Sequence, residues 1–239
     1  MISVCVATFN GAPYIAAQLA SILAAPRVDE VLVSDDGSTD STMEIVRAIA
    51  DSRVRVVDGP KLGLIRNYES LLAGARGEFV FLADQDDVWM PHKVDTMLAH
   101  LATADLVVSD CRVTDANLVV VNPSFFALRG SGPGLLRNLW RNSYLGCCMA
   151  MRRDLLRHAL PFPPRLPMHD WWLGLVGESF GRVAFVSEAL VLYRRHGANT
   201  STTAGRSQAT GWTRIRWRFA LATALLGRRF GARRQTATP

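Results

Sequence analysis

No apolar run in the 239-residue sequence approaches the roughly 20 uncharged residues that a bilayer-spanning helix needs. A soluble or peripheral protein is therefore expected. The four cysteines, Cys5, Cys111, Cys147 and Cys148, include no CxxC pair, and two of them are adjacent. That spacing offers neither a zinc site nor a disulfide framework, and they read as reduced core residues of a cytosolic protein. No basic n-region precedes the first apolar stretch, so no secretory leader is expected. Beyond that stretch, Phe9-Asn10-Gly11-Ala12-Pro13 does not supply a GxGxxG turn, and no GxxxxGK[ST] loop occurs anywhere. A nicotinamide-dinucleotide fold and a P-loop are thereby excluded. Acid is missing from the C-terminal stretch: Gly205 to Pro239 holds eight arginines and neither Asp nor Glu. The net charge is +6, so the residues before Gly205 carry about −2. A mildly acidic body argues against a nucleic-acid-binding fold, and a basic end points to an anionic partner of its own.

What is present is the composition of an ordinary globular protein, 49% hydrophobic and 20% charged. The length suits one large domain, or one domain with a small appendix. Ile2 to Thr8 reads as a first strand, and Asn10 to Pro13 as a turn with Pro13 suited to a helix start. Tyr14 to Ala24 carries apolar residues at helical spacing. A strand at Glu30 to Val33, a helix from about Ser41 to Ala50, a strand at Val54 to Val57, a helix at Ile65 to Ala75 and a strand at Glu78 to Leu82 follow. Strands and helices alternating at this pitch imply right-handed crossovers and a mostly parallel sheet covered on both faces.

The sequence is organised around Ala83-Asp84-Gln85-Asp86-Asp87-Val88-Trp89, directly after the apolar run Phe79 to Leu82. Like charges crowded at the end of a core strand need a compensating cation. Carboxylate oxygens suit Mg²⁺ or Mn²⁺, and such a metal suits a diphosphate. Ligands of open α/β sheets sit beyond the carboxyl ends of the strands. Polar residues fall there three times: Thr8 and Asn10, then Asp35 and Asp36, then Asp84 and Asp86.

Val4 to Asn10, Val33-Ser34-Asp35-Asp36-Gly37-Ser38-Thr39-Asp40 and Gly77 to Asp87 together resemble the family 2 glycosyltransferases, in order and in spacing, over roughly residues 1 to 200. The resemblance implies an α/β GT-A fold with a Rossmann-like central sheet flanked by helices. It also implies an inverting transfer from a nucleoside-diphosphate sugar, dependent on Mn²⁺ or Mg²⁺. Thr8, Asn10 and Asp36 would hold the pyrimidine, a carboxylate being a natural acceptor for the ring N3–H. Asp35 is the weaker candidate beside Asp36. Arg66, in Gly63-Leu64-Ile65-Arg66-Asn67, would lie near the nucleotide or its phosphates. Asp84 would contact the ribose, Asp86 the metal, and Asp87 would be structural. Trp89 and Lys93 read as a packed indole and a solvated amine.

In the second half, Ala104 to Ser109 reads as a strand and Leu118 to Val121 as an edge strand. The Gly- and Arg-rich segment Phe125 to Asn142 reads as a mobile covering of the site. Ser143 to Arg152 reads as a strand into a helix near Arg153. Pro161 to Pro167 can be neither helix nor central strand, and so forms a loop that delivers Met168-His169-Asp170-Trp171-Trp172. An inverting transfer needs one base to deprotonate the acceptor hydroxyl. The resemblance assigns Asp170 that role, the competing reading being a helix N-cap. Trp171 and Trp172 would stack on an acceptor sugar, and His169 has no assigned role. The block Tyr193-Arg194-Arg195-His196-Gly197-Ala198-Asn199-Thr200-Ser201 resembles a YRxHxxNxS ending in which His196 would be a further metal ligand.

The expected organisation is a transferase domain over 1–204, with a nucleotide-binding half at 1–110 and an acceptor-binding half at 111–204, and a basic amphipathic helix and tail over 205–239. Trp212, Ile215, Phe219, Ala222 and Leu226 form an apolar stripe. It would rest either on an anionic membrane surface or on the domain itself. The motifs look most like rhamnosyltransferases of bacterial surface glycan assembly. The expected donor is dTDP-rhamnose, then a UDP-hexose, and the acceptor a glycan or lipid-linked oligosaccharide. The expected location is the cytoplasm, at the inner face of the membrane. A noncatalytic nucleotide-sugar-binding subunit is the alternative, and it would bind nucleotide without turnover.

Overall fold

A computed structural model describes residues 1–196 and 210–235, with side chains as far as residue 230. Residues 197–201 of the YRRHGANTS block lie outside the described residues. The chain begins as alternating strands and helices: β1 (Ile2–Thr8), α1 (Ile15–Leu23), β2 (Glu30–Asp35), α2 (Thr42–Arg47), β3 (Val54–Asp58), α3 (Leu64–Gly74) and β4 (Phe79–Asp84). β1 is buried along its whole length, as a strand covered on both faces must be. It pairs in parallel with β2 and β4, and Thr8 stands opposite Asp35 while Ala7 stands opposite Asp84. The register therefore sets three polar strand ends side by side.

The second half comprises β5 (Val88–Trp89), α4 (Lys93–Leu101), β6 (Leu106–Thr114), β7 (Val120–Asn122), α5 (Phe125–Arg129), α6 (Leu135–Trp140), β8 (Met149–Arg152), α7 (Leu156–Ala159), α8 (His169–Phe180), β9 (Val183–Arg194) and α9 (Gly211–Gln235). Strand order is β3-β2-β1-β4-β8-β6-β9-β5, with β7 on β6. The sheet is parallel across its first four strands and mixed beyond them. β8 runs antiparallel to both β4 and β6, and β9 is parallel to β6. The GT-A-like layering of helices about one sheet is thus present, and the parallel rhythm stops at β4.

Three expectations change. Phe125 to Asn142 is folded rather than a loose covering: Ser124 caps α5 by accepting the Ala127 N–H, and Gly130 ends it in a left-handed conformation at φ 62°. The segment Ser143 to Arg152 is strand only from Met149, because Gly146 to Cys148 forms a single tight helical turn. Lys93 is wholly buried, donating to the Cys147 carbonyl at 2.6 Å and lying 4.2 Å over the Trp89 ring. Its alkyl stem fills core space while the ammonium finds a carbonyl and an aromatic face. The four cysteines are all free and buried.

The approach of α8 to the rest of the domain depends on Gly174. A Cβ there would lie 2.2 Å from the ring of Tyr144, which is itself fully buried. Gly174→Ala gains about 1 kcal/mol of helix propensity and meets an overpacking cost of about 1–3 kcal/mol. A net loss is expected because the obstructing atoms belong to a rigid ring. Thermal denaturation should show a fall of several degrees, about 2–4 °C per kcal/mol at this size; an unchanged midpoint would contradict the contact.

Candidate active site

The loops after β1, β2 and β4 are knotted together by their own side chains. Thr8 donates its hydroxyl to Gln85 Oε1 at 2.6 Å, and the same oxygen accepts the Phe9 N–H at 2.9 Å. Gln85 returns a bond to the Phe9 carbonyl at 3.0 Å. Asn10, at φ 49°, donates its N–H to Ser38 and accepts the Thr39 N–H at 2.8 Å through its side chain. Asp35 accepts the N–H groups of Gly37 and Ser38 and so shapes its own turn. Asp36 instead reaches across to the start of α3, accepting from Leu62 at 3.2 Å and Gly63 at 2.7 Å. Arg66 points elsewhere: it pairs with Glu69 and donates to the carbonyls of Phe162 and Pro163 at 3.3 and 3.4 Å. Glu69 accepts the Phe162 N–H at 2.6 Å. The pair thus ties α3 to the proline-rich loop ahead of α8.

The acidic cluster lies at the end of β4. Asp84 accepts the Tyr68 hydroxyl at 2.7 Å, and burial together with the Asp86 charge raises its pKa. Asp86 Oδ2 lies 2.8 Å from His196 Nε2. Asp87 is fully buried, accepts the Arg194 N–H at 2.9 Å, and is pushed well up by burial and by the charges of Asp86 and Asp84. Arg194 donates to the Asp86 carbonyl at 2.7 Å, so β9 and the acidic loop hold each other at two points. Tyr14 supports this junction: its ring stacks on His196 with centroids 4.6 Å apart and lies 4.8 Å from the Arg194 guanidinium.

Asp170 enters from α8. The helix starts at His169 with Met168 as N-cap, so Asp170 is a first-turn residue and not the cap. Its carboxylate accepts from the N–H groups of Trp171 and Gly146 and from the Asn142 side chain. Burial nevertheless pushes its pKa up to about 7, and the charge of Asp84 adds to the effect. The two carboxylates therefore feel each other's charge. Tyr68 joins the two sides, donating to Asp84 while its ring stacks on His169 at 4.0 Å. Burial holds the His169 pKa at about 3, so the imidazole is neutral, and its two ring nitrogens have no partner among the described residues.

Trp171 and Trp172 are not offered to an acceptor. Their N–H groups are spent on the carbonyls of Asn138 and Ala159 at 2.7 and 2.9 Å, and both rings are buried. They seat α8, and hence Asp170, from beneath. Tyr14, Tyr68, Gln85 and Arg194 are the site residues that motif spacing did not single out. Aromatics following a strand-end turn were the one signal for Tyr14.

Asp86 and His196 offer a hard carboxylate and an imidazole 2.8 Å apart, donors of the kinds that would hold a divalent cation. A second grouping, Asp84, Asp87 and Cys147, brings its ligand atoms within 4.8 Å of one another. Lys93 adjoins this grouping, its Nζ on the Cys147 carbonyl at 2.6 Å and its pKa lowered by burial.

A parallel half-sheet with an acidic loop at the end of β4, tied through Tyr68 and His169 to the helix that carries a buried carboxylate, is a GT-A-like architecture. The family model "Glycosyl transferase family 2" matches residues 3–160, and the chain belongs to that family of glycosyltransferases. An uncharacterized glycosyltransferase of Nostoc sp. is 27% identical over 221 residues, covering 85% of this chain and 67% of that protein. The dTDP-rhamnosyl transferase RfbG of Shigella flexneri is 25% identical over 240 residues, covering 88% of this chain and 80% of that protein. Among solved structures, S. aureus TarS 1-349 in complex with UDP-GlcNAc superposes with a TM-score of 0.71, covering 96% of this chain and 72% of that chain at 22% identity. This last likeness speaks for the fold alone. Asp170 and His196 lie beyond the residues matched by the family model.

Proposed function

We propose that the protein is a metal-dependent inverting glycosyltransferase that moves a sugar from a nucleoside diphosphate to a hydroxyl of a glycan or lipid-linked acceptor in bacterial surface glycan assembly. The observation that carries this reading is the buried Asp170 carboxylate, raised to about 7 and reached by the charge of Asp84, with Tyr68 joining the acidic loop to α8 through its hydrogen bond to Asp84 and its stack on His169. Asp170 takes the proton from the acceptor hydroxyl as its oxygen attacks the anomeric carbon on the face opposite the diphosphate. Thr8, Asn10 and Asp36 define the nucleoside end, and Asp84 takes a ribose hydroxyl. Arg66 acts through the loop that it ties to α3 and leaves the phosphates to other groups. Asp86 and His196 would hold a divalent cation, which would supply charge neutralisation at the departing diphosphate. The imidazole favours Mn²⁺ over Mg²⁺.

The relative named as a dTDP-rhamnosyl transferase supports dTDP-rhamnose as first donor, with a UDP-hexose as second. Among the described residues no helix is long and apolar enough to cross a membrane. We place the enzyme peripherally, on the cytoplasmic face, where a lipid-linked acceptor would be met. The test is nucleoside diphosphate release from a panel of sugar nucleotides with Mn²⁺ and crude lipid-linked acceptor. Release from one donor is expected. Nucleotide binding with no turnover for any donor would favour a noncatalytic binding subunit.

A further inference from the structure

The helix α9 has two apolar faces, and only one is used by the protein. Leu221 is fully buried and Leu225 nearly so, against α6 and α8. Arg218 donates to the Trp140 carbonyl at 2.7 and 3.0 Å, and Arg228 donates to the Pro161 carbonyl. The helix is therefore fastened to the domain through one side. At 100° per residue, Trp212, Ile215, Phe219, Leu226 and Phe230 fall together on the opposite side. All five are more than half exposed, Trp212 by 70% and Phe219 by 71%. The stripe is about 27 Å long at 1.5 Å per residue. The sequence had offered membrane or domain as alternatives for this helix; the docked face is a different one from the stripe, so the domain contact leaves the stripe available.

A second exposed apolar pair lies on α6, one of the helices on which α9 docks. Leu136 and Trp140, four residues apart on α6, are 79% and 68% exposed. The two helices meet where the Arg218 guanidinium lies 4.3 Å over the Trp140 ring. Exposed arginines border the stripe, Arg216 on one side and Arg229 on the other, and no acid occurs from Gly205 onward. A second copy presenting the same face would bring like charges together. Anionic headgroups above an acyl layer complement both the charge and the apolar row.

We infer that α6 and α9 form one composite lipid-facing surface that seats the protein on an anionic bilayer. This deepens the proposed transfer to a lipid-linked acceptor, and rests on that reading for its purpose. α6 is also the helix whose Asn138 carbonyl holds Trp171, next to Asp170. The lipid surface and the proposed base are thus tied to the same short helix, and an acceptor held in the bilayer meets the enzyme beside α8.

The test uses the full chain with vesicles of phosphatidylcholine, with and without about 30% phosphatidylglycerol, read by co-sedimentation. Two variants are used: Phe219→Ser with Phe230→Ser, which removes only exposed apolar groups of α9, and Leu136→Ser with Trp140→Ser on α6, which also removes the ring under Arg218. Circular dichroism melting checks that each remains folded. Wild-type protein is expected to bind the anionic vesicles and to be released by salt, and each double variant to bind on the order of tenfold more weakly. Binding unchanged in both variants would overturn the surface. Loss confined to the α9 variant would overturn its composite nature. A dimer in sedimentation equilibrium that the α9 variant dissolves would assign the face to a second copy instead. Nucleoside diphosphate release with a soluble acceptor is measured alongside. Vesicle binding without any release leaves the surface standing and removes the transferase reading; release without vesicle binding does the reverse.

Discussion

Replacing Asp170 by asparagine is expected to lower kcat for nucleoside diphosphate release about 10³-fold, within the range that a positioned general base contributes, with KM for the donor nearly unchanged. The variant keeps the size of the side chain and one oxygen for the Trp171 and Gly146 N–H groups. What it loses is the ability to take a proton. The wild-type pH profile carries the same information. Asp170 is held at about 7, chiefly by burial, so the base is protonated and idle below that pH. The rate should rise about tenfold per pH unit toward neutrality and level off above it, and this limb should be missing from the residual activity of Asp170→Asn. Stability runs the other way. The folded-state pKa lies above the ordinary carboxylate value of 3.8, so the folded protein binds the extra proton between these limits. Its contribution is therefore present at low pH and is lost as pH rises toward 7. The group stabilises the fold least where it is most active. A variant that lost activity and melted far below wild type at pH 8 would indicate a structural role and sink the assignment.

The donor half of this arrangement was legible in the sequence because its signals are local. Strand, turn and carboxylate follow one another in Val33 to Asp36 and in Phe79 to Asp84, and parallel pairing leaves little choice of register. The ends of β1, β2 and β4 then align. The second half was less legible because its contacts are distant in sequence. Nothing near Lys93 announces that it will lie under Cys147, or that Arg194 will reach back more than a hundred residues to Asp86 and Asp87. A positive charge next to a Trp in a predicted helix reads as solvated, and only the fold shows that the core encloses it. The two tryptophans after Asp170 misled for a related reason. Aromatic residues beside a catalytic carboxylate suit a sugar platform, yet the same residues suit the anchoring of a helix, and only the partners of their N–H groups separate the two roles. Arg66 shows the same limit. Its motif position is right for phosphate, while its guanidinium is committed to Glu69 and two loop carbonyls.

The proposed metal pair, Asp86 and His196, yields the second large effect. Asp86→Asn should abolish turnover to below about 1% of wild type at any Mn²⁺ concentration, since the cation is worth several kcal/mol of leaving-group stabilisation. His196→Ala should retain a metal requirement but raise the Mn²⁺ concentration for half-maximal activity, on the order of 10–100-fold, and narrow the preference for Mn²⁺ over Mg²⁺. The distinction follows from the chemistry of the two ligands. A carboxylate carries the charge that holds any hard cation, whereas an imidazole discriminates among cations. The geometry makes the pair unusually specific to test, because three neighbours hold it in place without belonging to it. Tyr14 stacks on the imidazole, Arg194 fixes the Asp86 carbonyl, and Asp87 fixes the Arg194 backbone. Were the 2.8 Å contact only an ion pair, loss of His196 would leave the preference between cations unchanged. Titrations of Mn²⁺ and Mg²⁺ in the release assay, with direct Mn²⁺ binding followed by electron paramagnetic resonance, separate these outcomes. A requirement that moved with Cys147→Ser and not with His196→Ala would put the cation at the deeper grouping of Asp84, Asp87 and Cys147, where it would have to compete with the ammonium of Lys93.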